Sequence, residues 1–193
     1  MIVFLLISLV IIIVMHELAH LITAHLCGCK ILRISLGFGK PVLFKKKIRG
    51  VVCQVTPWIL GGYVQMKGEC TYSQDKDAFV NLPYWKRAII IVAGCAINIK
   101  MGITAWVLGI LLNNFYLITF GVLSIAMGVS NLLPIPALDG SYLIFPPIFV
   151  KKWGMKEGYR RLSKVNGISF MILVIMNILS VIAAVIFYFL YLR

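Results

Sequence analysis

The chain of 193 residues is 61% hydrophobic, carries a formal net charge of +13 and has a mean hydropathy of +0.98. This composition exceeds what the core of a water-soluble domain requires and predicts a membrane protein. The basic residues alternate with long apolar segments, so the charge is interpreted as an orientation signal in a membrane, and no nucleic-acid partner is expected.

Four apolar segments have the roughly 20 residues that a membrane-spanning helix needs. They are residues 1–27, about 88–112, about 115–133 and 168–192. The first has no basic segment before it and contains His and Glu, so it is expected to be a retained helix and not a signal peptide. Lys and Arg concentrate in residues 30–87 and 151–164. The positive-inside rule therefore predicts a multi-pass protein of the cell membrane, with both basic connections in the cytoplasm and both termini outside.

The first apolar segment contains the stretch "VMHELAHLIT" at residues 14–23. On a helix, His16 and His20 lie one turn apart on the same face, so both imidazoles can reach one metal ion. Glu17 beside them is placed to bond a water molecule on that ion. An ionisable group at the bilayer centre costs about 2.5–3.5 kcal/mol, which indicates a functional site. His25 lies about half a turn away from His16 around the helix and is expected outside the site.

Residues 31–69 are rich in Val, Ile, Phe and Tyr and are interrupted by Gly and Pro, which predicts short strands and turns. These strands are too apolar for an ordinary cytoplasmic hairpin, so a membrane-associated hairpin or sheet that dips into the interface or lines a cavity is expected. A surface hairpin is the alternative. The predicted fold class is thus an α-helical membrane protein with about four transmembrane helices and a β-hairpin or sheet region between the first and second spans.

The segments "NLPYWKR" at 81–87 and "KKWGMKEGYRRLSK" at 151–164 combine aromatic and basic residues. Both are expected at the membrane interface, the second against an anionic leaflet. Five cysteines are an odd number, and they lie in the predicted membrane or on its reducing side, so structural disulfides are not expected. The pair Cys27 and Cys29 is an alternative but less specific metal-binding pattern.

A catalytic zinc site uses three protein ligands and keeps a fourth position for water. The acidic residues outside the first segment are Glu69, Asp75, Asp77, Asp139 and Glu157. Only Asp139 directly follows a long apolar segment, in "NLLPIPALDG" at 131–140. Pro134 and Pro136 break the helix there and Gly140 permits a tight turn. The pattern predicts Asp139 as the third ligand; the alternative is that it caps the third span.

With these motifs the chain resembles the site-2 proteases, a family of intramembrane zinc metalloproteases, and in particular their bacterial branch. The resemblance is carried by "HELAH", by "NLLPIPALDG", and by the further segments "SLGFGKPVL", "ILGGYVQMKGE" and "AGCAIN". Cys95 stands where many relatives have Pro, Ser141 where Gly is common, and Lys100 lies inside the second span. None of these three is expected to touch the metal ligands. The connection at 113–116 is too short for the PDZ domain that larger relatives carry there.

The resemblance implies one zinc ion per chain, held by His16, His20 and Asp139, with Glu17 as the general base. It implies that residues 33–67 form a membrane-dipping sheet whose edge holds substrate as an added strand, and that Asn131 helps to position substrate backbone. It further implies a single intramembrane metalloprotease domain over residues 1–193, with its active site towards the cytoplasmic side. The expected partners are single-span membrane protein substrates, the lipid bilayer and a regulatory membrane protein.

Two other functions stay open from the sequence. A membrane metal transporter would need ligands on several spans and usually a repeated architecture, and the sequence shows no repeat. A catalytically silent protein that binds membrane helices would be expected to lose a ligand or the base, whereas this chain retains all four residues.

Overall fold

A computed structural model describes residues 1–69 and 72–191, and of these the side chains of all but Ile2, Phe38, 58–60 and 177–191. The helices are α1 (Ile2–Leu26), α2 (Tyr84–Leu111), α3 (Phe115–Asn131), α4 (Ser141–Trp153) and α5 (Met155–Tyr191). The strands are β1 (Ile31–Phe38), β2 (Phe44–Ile48), β3 (Val51–Val55) and β4 (Trp58–Met66), and a short 3-10 helix (Phe79–Asn81) precedes α2.

Two helices are long and apolar enough to cross a membrane, judged by length and composition within the described residues. They are α1 over Val3–Leu26, with a mean hydropathy of 2.4, and α2, with a mean hydropathy of 1.9. They correspond to the first two predicted spans. The third predicted span corresponds to α3, which has 17 residues. The fourth falls in the second half of α5, and its residues 177–192 lie outside the described side chains, so the four-span topology stays a prediction.

The predicted β region forms a four-stranded mixed sheet with the strand order β2-β3-β1-β4. β1 pairs in parallel with β3 and antiparallel with β4, while β2 and β3 form an antiparallel hairpin. All five residues of β2 are exposed, as expected for a surface hairpin. β4 instead packs against α1 and contributes to the buried cluster of Ala24, Val64, Met66, Phe79 and Ile90. The sheet therefore combines an exposed hairpin with a strand that packs against α1.

The segment after Asp139 differs from the sequence-based expectation. Residues 141–150 are helical and form most of α4, which the hydrophobic pattern did not single out because Pro146 and Pro147 lie inside it. The basic segment 151–164 forms the end of α4 and the start of α5, and its position at the membrane interface stays a prediction. Gly154 separates the two helices with a φ of +76°, a conformation that residues with a side chain rarely adopt.

Helices α2 and α3 pack closely because glycines line their contact. A Cβ atom at Gly121 would lie 2.6 Å from the backbone nitrogen of Trp106 and 2.7 Å from the carbonyl oxygen of Gly102. Ser124 lies in the same contact and donates a hydrogen bond of 2.8 Å to the Asn98 carbonyl. Small residues at a helix contact allow the backbones to approach, which is how helices associate where no water is present to drive packing.

We expect Gly121→Ala to lower the free energy of unfolding by about 1–3 kcal/mol, because the added methyl forces the two backbones apart. Gly167→Ala is the matched control, since a Cβ atom there meets nothing within 4 Å and the residue is exposed in α5. That control should gain about 0.5–1 kcal/mol through its higher helix propensity. Denaturant unfolding in detergent micelles measures both, and equal shifts for the two variants would contradict the close α2–α3 contact.

Candidate metal centre

Three potential metal-binding side chains converge between α1 and the loop before α4. His16 and His20 lie one turn apart on α1, both are buried, and their Nε2 atoms are 3.1 Å apart. The Oδ2 atom of Asp139 lies 2.9 Å from His16 Nε2 and 3.2 Å from His20 Nε2. This is the one group of three or more His, Cys, Asp or Glu with such spacing among the described residues.

Asp139 reaches the histidines because the chain folds back between α3 and α4. The backbone N–H of Gly140 donates a hydrogen bond of 2.8 Å to the carbonyl oxygen of Asn131, which closes this loop. A Cβ atom at Gly140 would clash with the carbonyl oxygens of Leu132 and Leu133, so glycine is needed for close approach. Ala137 adopts a φ of +82°, a conformation that is costly for a residue with a side chain and that occurs mainly at functional sites.

His20 is oriented by a hydrogen bond from its other ring nitrogen. Its Nδ1 atom lies 2.8 Å from the carbonyl oxygen of Ile90 on α2. Because a carbonyl only accepts, Nδ1 carries the proton and the Nε2 lone pair faces Asp139. This is the tautomer that binds a metal through Nε2.

His16 has a comparable neighbour in Asn98, also on α2. The Nδ2 atom of Asn98 lies 3.1 Å from His16 Nδ1, and Asn98 Oδ1 is buried with no hydrogen-bond partner in the described part of the chain. A 180° rotation of the amide exchanges these atoms with almost no change in shape. Oδ1 then accepts the Nδ1 proton, and Nε2 is left free for a metal. Asn98 was not predicted as a site residue; its signals in the sequence are an amide inside an apolar helix and its place at the end of the segment "AGCAIN".

Gly94 allows α2 to lie against the two histidines. A Cβ atom at this position would lie 2.8 Å from His16 Nε2 and still closer to His20 Nε2. A side chain there would thus fill the space around the donor atoms. Gly94 is therefore required by the geometry of the donors and not by its own backbone conformation.

The three donor atoms fit a zinc ion. Tetrahedral zinc binds imidazole nitrogen and carboxylate oxygen at about 2.0–2.1 Å, which places such ligands about 3.3 Å from one another. The observed separations of 2.9–3.2 Å are close to this value. Two neutral imidazoles and one carboxylate also form a donor set found in catalytic zinc sites, which keep a fourth position open.

A cavity of about 340 Å³ adjoins the donors. Glu17, His20 and Asp139 line it together with residues of β4, and Glu17 is partly buried. The backbone of β4 passes close to this carboxylate, since a Cβ atom at Gly62 would lie 3.1 Å from Glu17 Cγ. The further lining residues are mostly apolar and include Met66, Phe79, Ile91, Tyr142 and Phe170. The cavity therefore offers one carboxylate beside the donors, a strand backbone and apolar walls.

Glu69 and Asn166 also line this cavity and were not predicted as site residues. The Oε2 atom of Glu69 accepts a hydrogen bond of 3.2 Å from the backbone N–H of Met66, and burial raises the pKa of Glu69 to about 7. Asn166 is 9% exposed, and its Oδ1 atom has no hydrogen-bond partner among the described residues. Neither position follows a recognisable local pattern, so only the fold shows that they face the cavity.

Asn131 does not line the described cavity. It ends α3, and its backbone oxygen holds the loop through Gly140. Its role in binding substrate stays a prediction.

Cys95 and the Cys27–Cys29 pair differ in their relation to the donors. The expectation that Cys95 lies apart from the metal ligands is wrong, because its thiol donates to Asp139 Oδ2 over 3.8 Å and is buried. A cysteine in place of proline on α2 thus faces the carboxylate. Cys27 and Cys29 do not join the three donors in the described structure. Cys70 lies outside the described residues.

Comparison with known proteins identifies the class to which this fold and site belong. Residues 4–119 match the family model described as Peptidase family M50, which covers 60% of the chain's 193 residues. The matched segment contains both histidines, Glu17, the sheet and α2, and it ends before Asp139. The chain therefore belongs to peptidase family M50, the family of the site-2 proteases.

The names of similar bacterial proteins are consistent with this family. A provisionally named zinc metalloprotease of Ralstonia nicotianae is 38% identical over 116 residues, which is 52% of this chain and 24% of that protein. One of Neisseria meningitidis is 30% identical over 83% of this chain and 32% of that protein. Metalloprotease MmpA of Caulobacter vibrioides is 34% identical over 63% of this chain and 34% of that protein. The chain thus spans about a quarter to a third of the length of these relatives. All three names indicate a metalloprotease, and those of the Ralstonia and Neisseria proteins specify zinc.

We expect Asn98→Leu to weaken zinc binding by about 10–100-fold, because it removes the acceptor that holds His16 in its metal-binding tautomer. Asn98→Asp keeps an acceptor oxygen at the same position and should retain zinc. Competition with a chromophoric chelator measures the affinity, and thermal unfolding of the metal-stripped proteins shows whether each variant is folded. A folded Asn98→Leu protein with wild-type zinc affinity would show that Asn98 does not orient His16.

The raised pKa of Glu69 predicts a pH-dependent stability. Between the ordinary value of 4.5 and about 7, the unfolded chain has lost the Glu69 proton while the folded chain keeps it. The free energy of unfolding should therefore fall across this range. Glu69→Gln removes this contribution. The difference in the free energy of unfolding between variant and wild type should therefore grow from pH 5 to pH 7.5, as measured by thermal unfolding of the metal-stripped proteins.

Glu157→Gln is the control for this measurement. The neighbouring Arg160 and Arg161 lower the pKa of Glu157 to about 2. Its carboxylate is therefore ionised in both the folded and the unfolded chain above about pH 5. The difference between Glu157→Gln and wild type should stay flat over the same range. A flat difference for Glu69→Gln as well would contradict the raised pKa.

Proposed function

We propose that this chain is an intramembrane zinc metalloprotease that hydrolyses peptide bonds within or near the transmembrane segment of membrane proteins. In this proposal His16, His20 and Asp139 bind one zinc ion and Glu17 is the general base. Family membership supports a metallopeptidase, and the names of the relatives support zinc. The intramembrane site, its substrates and these residue roles are the proposal's own content.

The observation that carries the proposal is the arrangement of Glu17, the three donors and β4 around one cavity. A hydrolase needs a base, an electrophile and a place where the peptide lies against both. Glu17 directly follows the donor His16 on α1, and the Gly62 backbone approaches its side chain. All three requirements are thus supported within a single cavity of about 340 Å³.

β4 is suited to hold an extended substrate. It is at one end of the strand order, and among the described strands it pairs only with β1. A peptide that pairs with the edge of β4 away from β1 would lie along the cavity that Gly62, Val64 and Met66 line. Such pairing also replaces the backbone hydrogen bonds that a substrate helix loses when it unwinds, and these bonds cost several kcal/mol each in hydrocarbon when they are unmade.

Hydrolysis of the bound peptide uses the metal donors, Glu17 and the walls of the cavity. A zinc ion held by the three donors would supply an electrophile that polarises the scissile carbonyl and makes water more acidic. Glu17 accepts a proton from the attacking water and returns it to the leaving amine, so that one water molecule is consumed for each peptide bond broken. The Ile90 carbonyl keeps His20 in its required tautomer, and the walls formed by Phe79, Ile91 and Phe170 limit the access of bulk water.

The placement of the site supports cleavage in the membrane. Both histidines and Glu17 belong to α1, and Gly94 and Asn98 belong to α2, which are the two helices long enough to span a bilayer. The substrates proposed are single-span membrane proteins whose spans contain helix-weakening residues, because the segment must unwind before attack. Stiffening such a span with Leu should then reduce cleavage. Asn131 as a contact to substrate backbone and a regulatory membrane protein as a partner are further parts of this proposal.

The experiment that tests the proposal compares wild type with Glu17→Gln. Both are purified in detergent, their zinc content is measured, and each is incubated with a panel of tagged single-span substrates. We expect wild type to cut at least one substrate and Glu17→Gln to cut it about 10²–10⁴-fold more slowly, because the general base is lost. Both proteins should hold one zinc ion per chain.

Glu157→Gln serves as the matched control, because it removes a carboxylate that is bound to Arg160 and Arg161, away from the cavity. Its cleavage rate should equal that of wild type. Cleavage by Glu17→Gln at the wild-type rate would overturn the role of the base. Zinc flux into liposomes without cleavage of any substrate would favour a metal transporter.

A further inference from the structure

A second cavity, also of about 340 Å³, lies where α4 ends, α5 begins and α2 begins. It shares none of its described lining residues with the cavity beside the metal donors. Arg87 and Lys151 supply two cationic groups, and Tyr159 supplies a buried aromatic side chain. The remaining walls are apolar and include Val150 and Met155.

No Asp or Glu carboxylate in the described part of the chain neutralises these two cations. All six acidic residues lie in the described part of the chain, and each either pairs with another cation or lines the cavity at the metal centre. Asp75 and Asp77 pair with Lys67, Glu157 pairs with Arg160 and Arg161, and the other three lie at the metal-centre cavity. The lining of the second cavity therefore has an uncompensated positive charge.

The guanidinium of Arg87 has a buried donor without a partner. It lines the cavity together with Tyr159 and lies 5.8 Å from the ring centre of Tyr84. Its Nε atom is buried and has no hydrogen-bond partner among the described residues. A buried donor of a charged group is costly to leave unpaired, and an anionic oxygen is the acceptor that satisfies it best.

The position of the cavity indicates where this anionic oxygen comes from. Arg87 is in the first turn of α2, a helix of membrane-spanning length, next to the exposed aromatic residues Tyr84 and Trp85. Where α4 meets α5, Lys152 and Arg161 both lie over the ring of Trp153, at 4.6 Å and 5.1 Å. Aromatic and basic residues of this kind mark the boundary between hydrocarbon and water, where lipid headgroups lie.

We propose that this cavity binds the headgroup of an anionic phospholipid. A phosphate oxygen accepts from Arg87 Nε and from the ammonium group of Lys151, and the glycerol and upper acyl chain pack on Pro147, Val150 and Met155. A free phosphate ion would use only the charged part of this lining, whereas an amphipathic lipid uses both parts. The site does not depend on the proposed protease function, because it shares no lining residue with the metal centre.

The test measures lipid binding to the full chain in detergent. Vesicles of phosphatidylglycerol in phosphatidylcholine are titrated, and lipids that remain bound are counted by native mass spectrometry. We expect one retained phosphatidylglycerol and no matching retention of phosphatidylcholine. Arg87→Gln and Lys151→Gln should each weaken this binding by about tenfold, the value of one charge-assisted hydrogen bond.

Lys46→Gln is the matched control, since Lys46 is an exposed cation on β2 that lines neither cavity. It should leave binding unchanged, which separates a specific site from general attraction to a protein of net charge +13. Zinc content and thermal midpoint show that each variant is folded, and Lys151 is exposed and poses little risk to folding. Equal weakening by all three variants, or equal retention of phosphatidylcholine, would overturn the proposal. Displacement of the lipid by inorganic phosphate would reassign the cavity to a free anion and also overturn it.

Discussion

The contact between α1 and α2 is the constraint on which the rest of the site depends. His16 and His20 can adopt a metal-binding geometry on any helix, but here their far ring nitrogens face Ile90 and Asn98 on α2. That orientation requires the two helices to approach so closely that Gly94 has no room for a side chain. The same approach lets the loop before α4 bring Asp139 over the two histidines. Close packing at one glycine thus fixes the ring orientation, and with it the positions of the donor atoms.

Polar groups within apolar helices are affordable only when they are paired, since unpaired groups cost several kcal/mol in hydrocarbon. Of the six acidic residues, five show such pairing, and Glu17 lines the cavity beside the metal donors. Asp139 contacts both histidines, and the acids outside the membrane-spanning helices pair with lysine or arginine or, at Glu69, accept from a backbone N–H. Four buried side-chain atoms have no hydrogen-bond partner among the described residues, on Arg87, Asn98, Ser141 and Asn166. Two of these residues line cavities: Asn166 beside the metal centre and Arg87 at the basic cavity.

The two edges of the mixed sheet differ in their surroundings. β2 is exposed at every position and carries three consecutive lysines, which discourages another strand from pairing with this edge. β4, at the opposite edge, packs on α1 and lines the cavity. The two edges thus have different chemistry: one is protected by charge, and the other lies beside Glu17 with Gly62 permitting close approach.

The sequence by itself determined the local features. The spacing of "HELAH" places two imidazoles on one helical face whatever the helix packs against, and the two prolines before Asp139 end α3 as predicted. It also indicated the membrane helices and the strand region, because hydrophobic runs and glycine-proline punctuation are local signals. It did not predict α4, because Pro146 and Pro147 lie inside that helix and proline normally interrupts a helix.

Only the tertiary structure decided which distant residues meet. His16 lies 123 positions from Asp139 and 82 from Asn98, and no periodic pattern relates residues so far apart. The proximity of Cys95 to Asp139, the exposure of Glu69 and Asn166 to the cavity, and the choice of β4 over β2 as the strand beside Glu17 have the same origin. Each depends on how helices and strands pack, and close packing is set by shape and volume at contacts such as Gly94, which a linear pattern does not encode.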